Sequence, residues 1–262
     1  MRRYLRLYFH FLRYSFSRAF EFRVDFSFRI VMDCVFYAVN LTFFTLLYNQ
    51  RDQIGGWTID QAYIFVAAFF FVDALHMTLF SNNMWWLPIL VNKGDLDYYL
   101  VRPVSSLFFL SLREFAANSF INLIIATGIL TWAILRYPGD LSADQIALFA
   151  GFLLCGSFVH YALHILFIIP VFWLHTNRGL AMVFFSITKL AERPHEIYTG
   201  VTRYVLMTVL PLAWIASVPT DVLFTGATTE RLLHLAAVVM GLFAFLVWLW
   251  GRALRSYVSA SS

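Results

Sequence analysis

Two pairs of ionisable residues stand inside stretches that are otherwise apolar. His160 and His164 in "VHYALH" lie four apart, and Asp73 and His76 in "VDALH" lie three apart. On a helix, either spacing puts both side chains on one face. Two His four apart could present ligands to a metal, but the zinc-protease pattern places Glu beside the first His. Here Val159 and Tyr161 stand there. The His pair therefore reads as a polar packing face or as two ligands of an incomplete metal set. Asp73 and His76 read as the lining of a polar cavity, as helix-packing groups, or as a step in a proton pathway. No Ser-His-Asp or Cys-His arrangement follows from the spacing. Only two lysines are present, Lys93 and Lys189, and neither follows a Gly-rich loop. A phosphate-cradling G-x-x-x-x-G-K-[ST] loop is therefore impossible, and any ATP must be bound by another subunit.

The elements that position these residues are set by composition. Of 262 residues, 61% are hydrophobic, 19% aromatic and 13% charged, where a soluble domain carries about a quarter charged residues. The apolar runs reach the roughly 20 residues that cross a bilayer as a helix. The expected fold class is an all-α integral membrane protein, one domain over residues 1–262. The net charge of +4 does not point to nucleic acid, because seven Arg precede residue 30 while long later stretches carry none. That asymmetry is a topology signal. Cys34 and Cys155 fall inside apolar segments and read as buried free thiols. The basic, aromatic N-terminus lacks the small-residue cleavage site of a signal peptide.

Along the chain, residues 1–23 form an amphipathic helix with Arg2, Arg6, His10, Arg13 and Ser17 on one face and Tyr4, Leu5, Tyr8, Leu12 and Phe16 largely elsewhere. It suits the surface of an anionic cytoplasmic leaflet. Residues 24–258 form a bundle of six transmembrane helices. Spans are expected at about 26–48, 61–80, 107–135 and 146–174, then one from about 198 interrupted at Pro211 and Pro219, and a last one at about 232–254. Glu21, Asp25, Arg29 and Asp33 make a charge ladder at the start of the first span, read as structural pairing. With Arg203 counted as inner, only Arg51, Arg136 and Arg231 of the nineteen Lys and Arg lie outside. The positive-inside rule then puts both termini in the cytoplasm.

One polar break at the inner surface has a defined grammar. In "NKGDLDYYLVRP", Gly94 can end the preceding helix in a left-handed conformation, and Asp95 favours a new helix start. Leu96, Tyr99 and Leu100 give a small apolar face, and Pro103 stops the helix from running on. The product is either a short rigid knob or an interfacial loop anchored by its tyrosines. Lys93-Gly94-Asp95-Leu96-Asp97, followed by Leu100, Arg102 and Pro103, resembles the signature of permeases of type-2 ABC exporters, in the branch called uncharacterised ABC transport permeases. "TRYVLMTVLPLAWIASVPTDVLFTG" resembles that branch's second mark, an apolar run with two spaced prolines, and the likeness covers nearly the whole chain.

The resemblance implies that residues 92–103, with Lys93, Gly94, Asp95, Leu96, Asp97, Tyr98, Tyr99, Leu100, Arg102 and Pro103, form a coupling helix docking on a nucleotide-binding subunit. It implies a second, smaller contact through Arg178, Lys189 and Arg193, and a re-entrant hairpin around Pro211 and Pro219 that closes the outer mouth before the last span. The implied assembly is two permeases, alike or unlike, with two ATPase subunits that hold ATP and Mg, in a bacterial inner membrane among its lipids. The chain itself then carries no cofactor and no catalytic residue. Its role is export of an unspecified cargo. The rival readings are an ATP-independent secondary transporter using Asp73 and His76, a membrane-embedded enzyme built on the His160/His164 pair, and a pure scaffold subunit beside a partner permease that forms the whole pathway.

Overall fold

A computed structural model of the chain describes residues 2–19, 23–176 and 178–257. Glu21 lies outside the described residues, as do the side chains of Arg2, Tyr4, Leu5, Arg6, Phe16, Ser17, Asp25 and Arg178. Thirteen α-helices follow one another, with no named strand among the described residues. They are α1 (Arg2–Ala19), α2 (Arg23–Tyr48), α3 (Ile59–His76), α4 (Asn82–Lys93), α5 (Asp97–Leu100), α6 (Ser106–Leu112) and α7 (Ala117–Arg136). After these come α8 (Ala143–Ile168), α9 (Val171–Leu174), α10 (Arg178–Thr188), α11 (Gly200–Met207), α12 (Ser217–Thr225) and α13 (Thr229–Ser256).

Five stretches are long and apolar enough to cross a membrane: Ser27–Tyr48, Ile59–Lys93, Ala117–Arg136, Ala143–Leu174 and Thr229–Ser256. Their burial separates core from rim. The apolar window of Ala143–Leu174 is 72% buried, whereas those of α2 and α13 are 11% buried. Helices apolar on all sides belong in the middle of a bundle. Accordingly α3 lies between α2, α7 and α8, with Ile64, Phe65, Ala67 and Ala68 fully enclosed. Cys34 is exposed on α2, contrary to the expectation of a buried thiol, because α2 gives only a narrow face to the bundle. Cys155 is half-buried.

Helix starts are written locally at one end of the bundle. Ser142 accepts a hydrogen bond from the Gln145 amide at 3.2 Å while Gln145 Oε1 accepts from the Ser142 amide at 2.8 Å, a capping box opening α8. Thr58 and Gln61 make the equivalent box for α3, and the Thr228 hydroxyl accepts from the Arg231 amide at α13. The other end carries Gly94, His175 and Tyr257.

Three boundaries differ from the sequence reading. The second apolar helix does not stop near Phe80: it continues through a π turn, Met77–Ser81, into α4 as far as Lys93. The next apolar run is split, with α6 and α7 separated at Arg113–Ala116. Asn83 holds that break open. Its amide donates to the Glu114 carbonyl at 2.8 Å and its Oδ1 accepts from the Glu114 amide at 2.9 Å, while the Ala116 amide donates to the Thr78 carbonyl at 2.9 Å. Backbone leaving a helix among apolar neighbours needs such partners.

The third difference concerns residues 176–197. Asn92 donates to the His175 carbonyl at 3.0 Å at the Gly94 end, whereas a Cβ on Gly55, in the loop after α2, would lie 3.4 Å from Glu196 Cβ. The segment between them, α10 with the 3₁₀ turn Lys189–Glu192, therefore runs from one end to the other. The chain then returns into the bundle through α11, and residues 211–220 are buried throughout. Trp214 and Ile215 reach Gly156, roughly 20 Å along α8 from its start. The chain comes back out along α12, where the Phe224 ring lies tilted 5.0 Å from that of Tyr137.

Candidate functional site

Residues 92–103, expected to form a knob or an interfacial loop, make a turn and one short helix, the knob, at the Gly94 end. Gly94 closes α4 with φ 78° and ψ 1°, a left-handed conformation that a side chain would strain. The following helix, α5, starts at Asp97 rather than Asp95, because Leu96 is drawn fully inside and takes the cap position. Leu96, the knob's one buried side chain, joins the buried cluster that holds Leu87 of α4, Leu110 of α6, Ile169 and Trp250 of α13. Tyr98 and Val101 stand out at 71% and 82% exposure. Beneath them the Arg113 guanidinium donates to the Tyr99 hydroxyl, and Arg102 lies 4.8 Å over the Phe109 ring. The Trp250 indole donates to the Ser106 hydroxyl at 3.1 Å. Burial, joined by the carboxylates of Asp97 and Asp95, pushes the Tyr257 phenol up.

The three residues expected as a second contact are not gathered there. Lys189 lines a cavity between the helices with Asp73 and Glu192, and Arg193 lies 4.6 Å over the Phe43 ring near the far end of α2. Only α10's first residue, Arg178, begins near the knob. Arg203 shares a cavity with Arg231, at the end opposite the knob rather than beside it.

What the sequence showed as two separate pairs, the fold makes one seam. His76 Nε2 and His164 Nδ1 are 2.8 Å apart, and the His76 and His160 rings stack at 4.2 Å. His164 in turn lies flat against Phe184 at 4.3 Å. A cavity of 190 Å³ opens beside them, lined also by Asp73, Glu192 and Lys189. A second, of 210 Å³, shares Phe36, Asp73 and Met77 with the first and adds Asp33, Ser119 and Asn122. Asn122 donates to the Asp33 carboxylate. Among the described residues no group of three His, Cys, Asp or Glu is arranged to hold a metal ion.

Sequence reasoning missed a third polar site. A cavity of 360 Å³ at the end opposite the knob is lined by His195, Arg203, Trp214, Asp221, Arg231 and His234, among others. Arg231 pairs with Asp221 at 2.6 Å and so ties α13 to α12. His195 Nδ1 meets Ser217 Oγ at 2.7 Å and Glu196 Oε1 at 3.1 Å. Burial pushes the Glu196 carboxyl up to about 7, with Asp221 adding to it. Burial, then the charges of Arg203 and Arg231, holds His195 down at about 4. Pro211 and Pro219 frame the buried turn that forms one wall.

No curated protein and no solved structure matches this chain. The family described as ABC-2 family transporter protein matches residues 34–261, which include the knob, Asp73 and the three histidines of the seam, and both prolines of the returning segment. This multi-pass membrane chain therefore belongs to the ABC-2 family transporter proteins, as an ABC transporter permease.

Proposed function

We propose that the chain is the membrane-spanning half of an ATP-driven exporter, worked from the cytoplasm through residues 92–103. Family membership implies an ABC ATPase partner. The observation that carries the reading is the knob itself: a chain turn fixed by Gly94 and the buried Leu96, presenting Tyr98 and Val101 to whatever docks there. ATP and Mg belong to two ATPase subunits, and a second permease, a copy or a relative, completes the pathway. The permease does no bond chemistry. It converts displacement of the knob into a changed packing of its helices, which requires that the knob's contacts differ between the two states. An ion-coupled transporter built on Asp73 and His76 is not favoured by the family match.

The topology follows from the same reading. The five long stretches plus the segment Arg178–Glu192 make six crossings; the last of these is roughly 25 Å long by helical rise, close to the hydrocarbon thickness. Basic residues remain in surplus at the knob end even with Arg193 and Arg203 at the other, which supports cytoplasmic termini in a bacterial plasma membrane. Residues 200–225, entering and leaving at one end, form a re-entrant hairpin that closes the outer mouth. Non-spanning backbone at that depth is tolerable where protein encloses it, as it does residues 211–220. α1, with Phe11 against Phe109 at 5.2 Å and His10 and Arg13 exposed, lies along the cytoplasmic interface.

The test replaces Asp95 and Asp97 with Lys and, separately, the exposed Val101 with Asp. Assembly with the ATPase and permease-stimulated ATP turnover are both expected to fall, with folding of the Val101→Asp chain intact. Unchanged assembly and turnover in both variants would overturn the assignment.

A further inference from the structure

The seam has an uneven charge balance. Asp33 has Arg29 and Asn122 near it, and Glu192 has Arg193 and Lys189. Asp73 shares the smaller cavity with Lys189 but pairs with nothing: among the described residues no hydrogen bond or ion pair engages its carboxylate, and the charges that bear on it are those of Asp33 and Glu192. An uncompensated carboxylate in this setting is costly unless a cation or a proton joins it.

Three further polar atoms, on side chains that line these two cavities, are unpartnered. His76 Nδ1, His160 Nδ1 and Asn122 Oδ1 are buried without a hydrogen-bond partner, on side chains no more than 5% exposed. Asn122 spends its amide on Asp33, so its oxygen can only accept. Buried polar atoms are seldom left so unless something else satisfies them. Around these atoms the walls are aromatic, with Phe36, Phe69, Phe184 and Phe185. Aromatic faces attract cations as well as apolar rings. Phe36, Met77 and Phe185 are also partly exposed on the bundle surface, so the cleft opens sideways.

We propose that this cleft is a cargo site for a small organic ammonium ion with an aromatic body, its N–H groups directed to Asp73 and Asn122 Oδ1 and its ring held among the phenylalanines. The inference rests on the transport reading and names the cargo chemistry. An anion is disfavoured by the three carboxylates. A large rigid molecule is disfavoured by two connected spaces of 210 and 190 Å³, each below the usual range of about 300–1,000 Å³ for small-molecule pockets.

The experiment uses the full chain in lipid nanodiscs without its ATPase and three indole probes of similar size: tryptamine, a cation; tryptophol, neutral; and indole-3-acetate, an anion. Binding is read by equilibrium dialysis. Tryptamine is expected to bind at least about tenfold more tightly than tryptophol, with the acetate weakest, and Asp73→Asn removes the preference. That variant deletes an unpaired buried charge, so it should fold at least as well as the parent, and Asp95→Lys at the knob should leave the preference intact. Equal binding of the three probes, a preference that survives Asp73→Asn, or full displacement of tryptamine by an equal concentration of potassium would each overturn the proposal. Because no ATPase is present, its failure leaves coupling through the knob untouched, and failed coupling leaves the probe preference standing.

Discussion

Gly156 of α8 lies directly against the backbone of the returning segment: a Cβ there would stand 2.5 Å from the Ile215 carbonyl oxygen and also collide with that of Trp214. Both carbonyls belong to a turn whose side chains are 1% exposed, so neither can swing aside. This approach is what lets residues 211–216 sit at the depth they do.

Gly156→Ala should therefore cost about 1–3 kcal/mol through overpacking. Thermal unfolding of the purified chain in detergent checks it. Gly151→Ala on the same helix, where a Cβ meets nothing within 4 Å, should be neutral or slightly stabilising. Equal melting temperatures for the two variants would contradict the close approach.

Gly94→Ala places a side chain at φ 78°, at a cost of about 1–2 kcal/mol. The knob re-aims or frays to relieve it. ATP turnover stimulated by the permease is expected to drop several-fold while the melting temperature falls only slightly, and Gly94→Asn should retain more turnover because Asn tolerates this conformation.

The His76–His164 contact is a buried polar pair, so its members depend on each other. His164→Phe leaves His76 Nε2 without its partner and should destabilise by about 1–3 kcal/mol, as should His76→Phe. The double variant is expected to lose less than the sum of the two, since no unpaired nitrogen remains from that contact. Strict additivity in denaturant titrations would show that the contact carries no coupling.

Glu196 and His195 set opposite pH limbs. A carboxyl whose folded value is raised to about 7 destabilises the fold as pH rises from its ordinary range, near 4.5, to 7, and the loss is complete above that. A histidine held at about 4 destabilises as pH falls from 6.5 to 4. Glu196→Gln should therefore flatten the upper limb, raising stability at pH 8 by roughly 2–3 kcal/mol relative to pH 5, and leave the acid limb alone. Melting curves from pH 4 to 8 decide it.

Local chemistry was readable from the chain, and convergence was not. Gly94 declared its turn because few residues take a positive φ, and the two-residue motifs at 73/76 and 160/164 declared shared faces through helical spacing. That α3 and α8 would bring those faces together depends on packing between residues 88 apart, which no periodicity records. The break at Arg113–Ala116 was hidden for a similar reason: its stability resides in Asn83, far back along the chain. Where Lys189, Glu192 and Arg193 would sit was not readable either, because charges after a short apolar run mark only where that run ends. Those charges are accommodated by the seam and by the Phe43 ring, neither visible until the fold is formed.

The uninterrupted helical path from Ile59 to Lys93 is about 50 Å long, against roughly 30 Å of hydrocarbon, so α4 projects well beyond it. At its base lies the π turn at Met77–Ser81, and midway along α4 stands Pro88, which donates no amide hydrogen to the helix ladder. Were the path to hinge at the π turn, the fulcrum would lie beside the imidazole of His76. With an arm of about 18 Å from Asn82 to Lys93, a swing of about 10° carries the tip through about 3 Å. A push on Tyr98 would thus arrive as a small torque at the wall of the cleft.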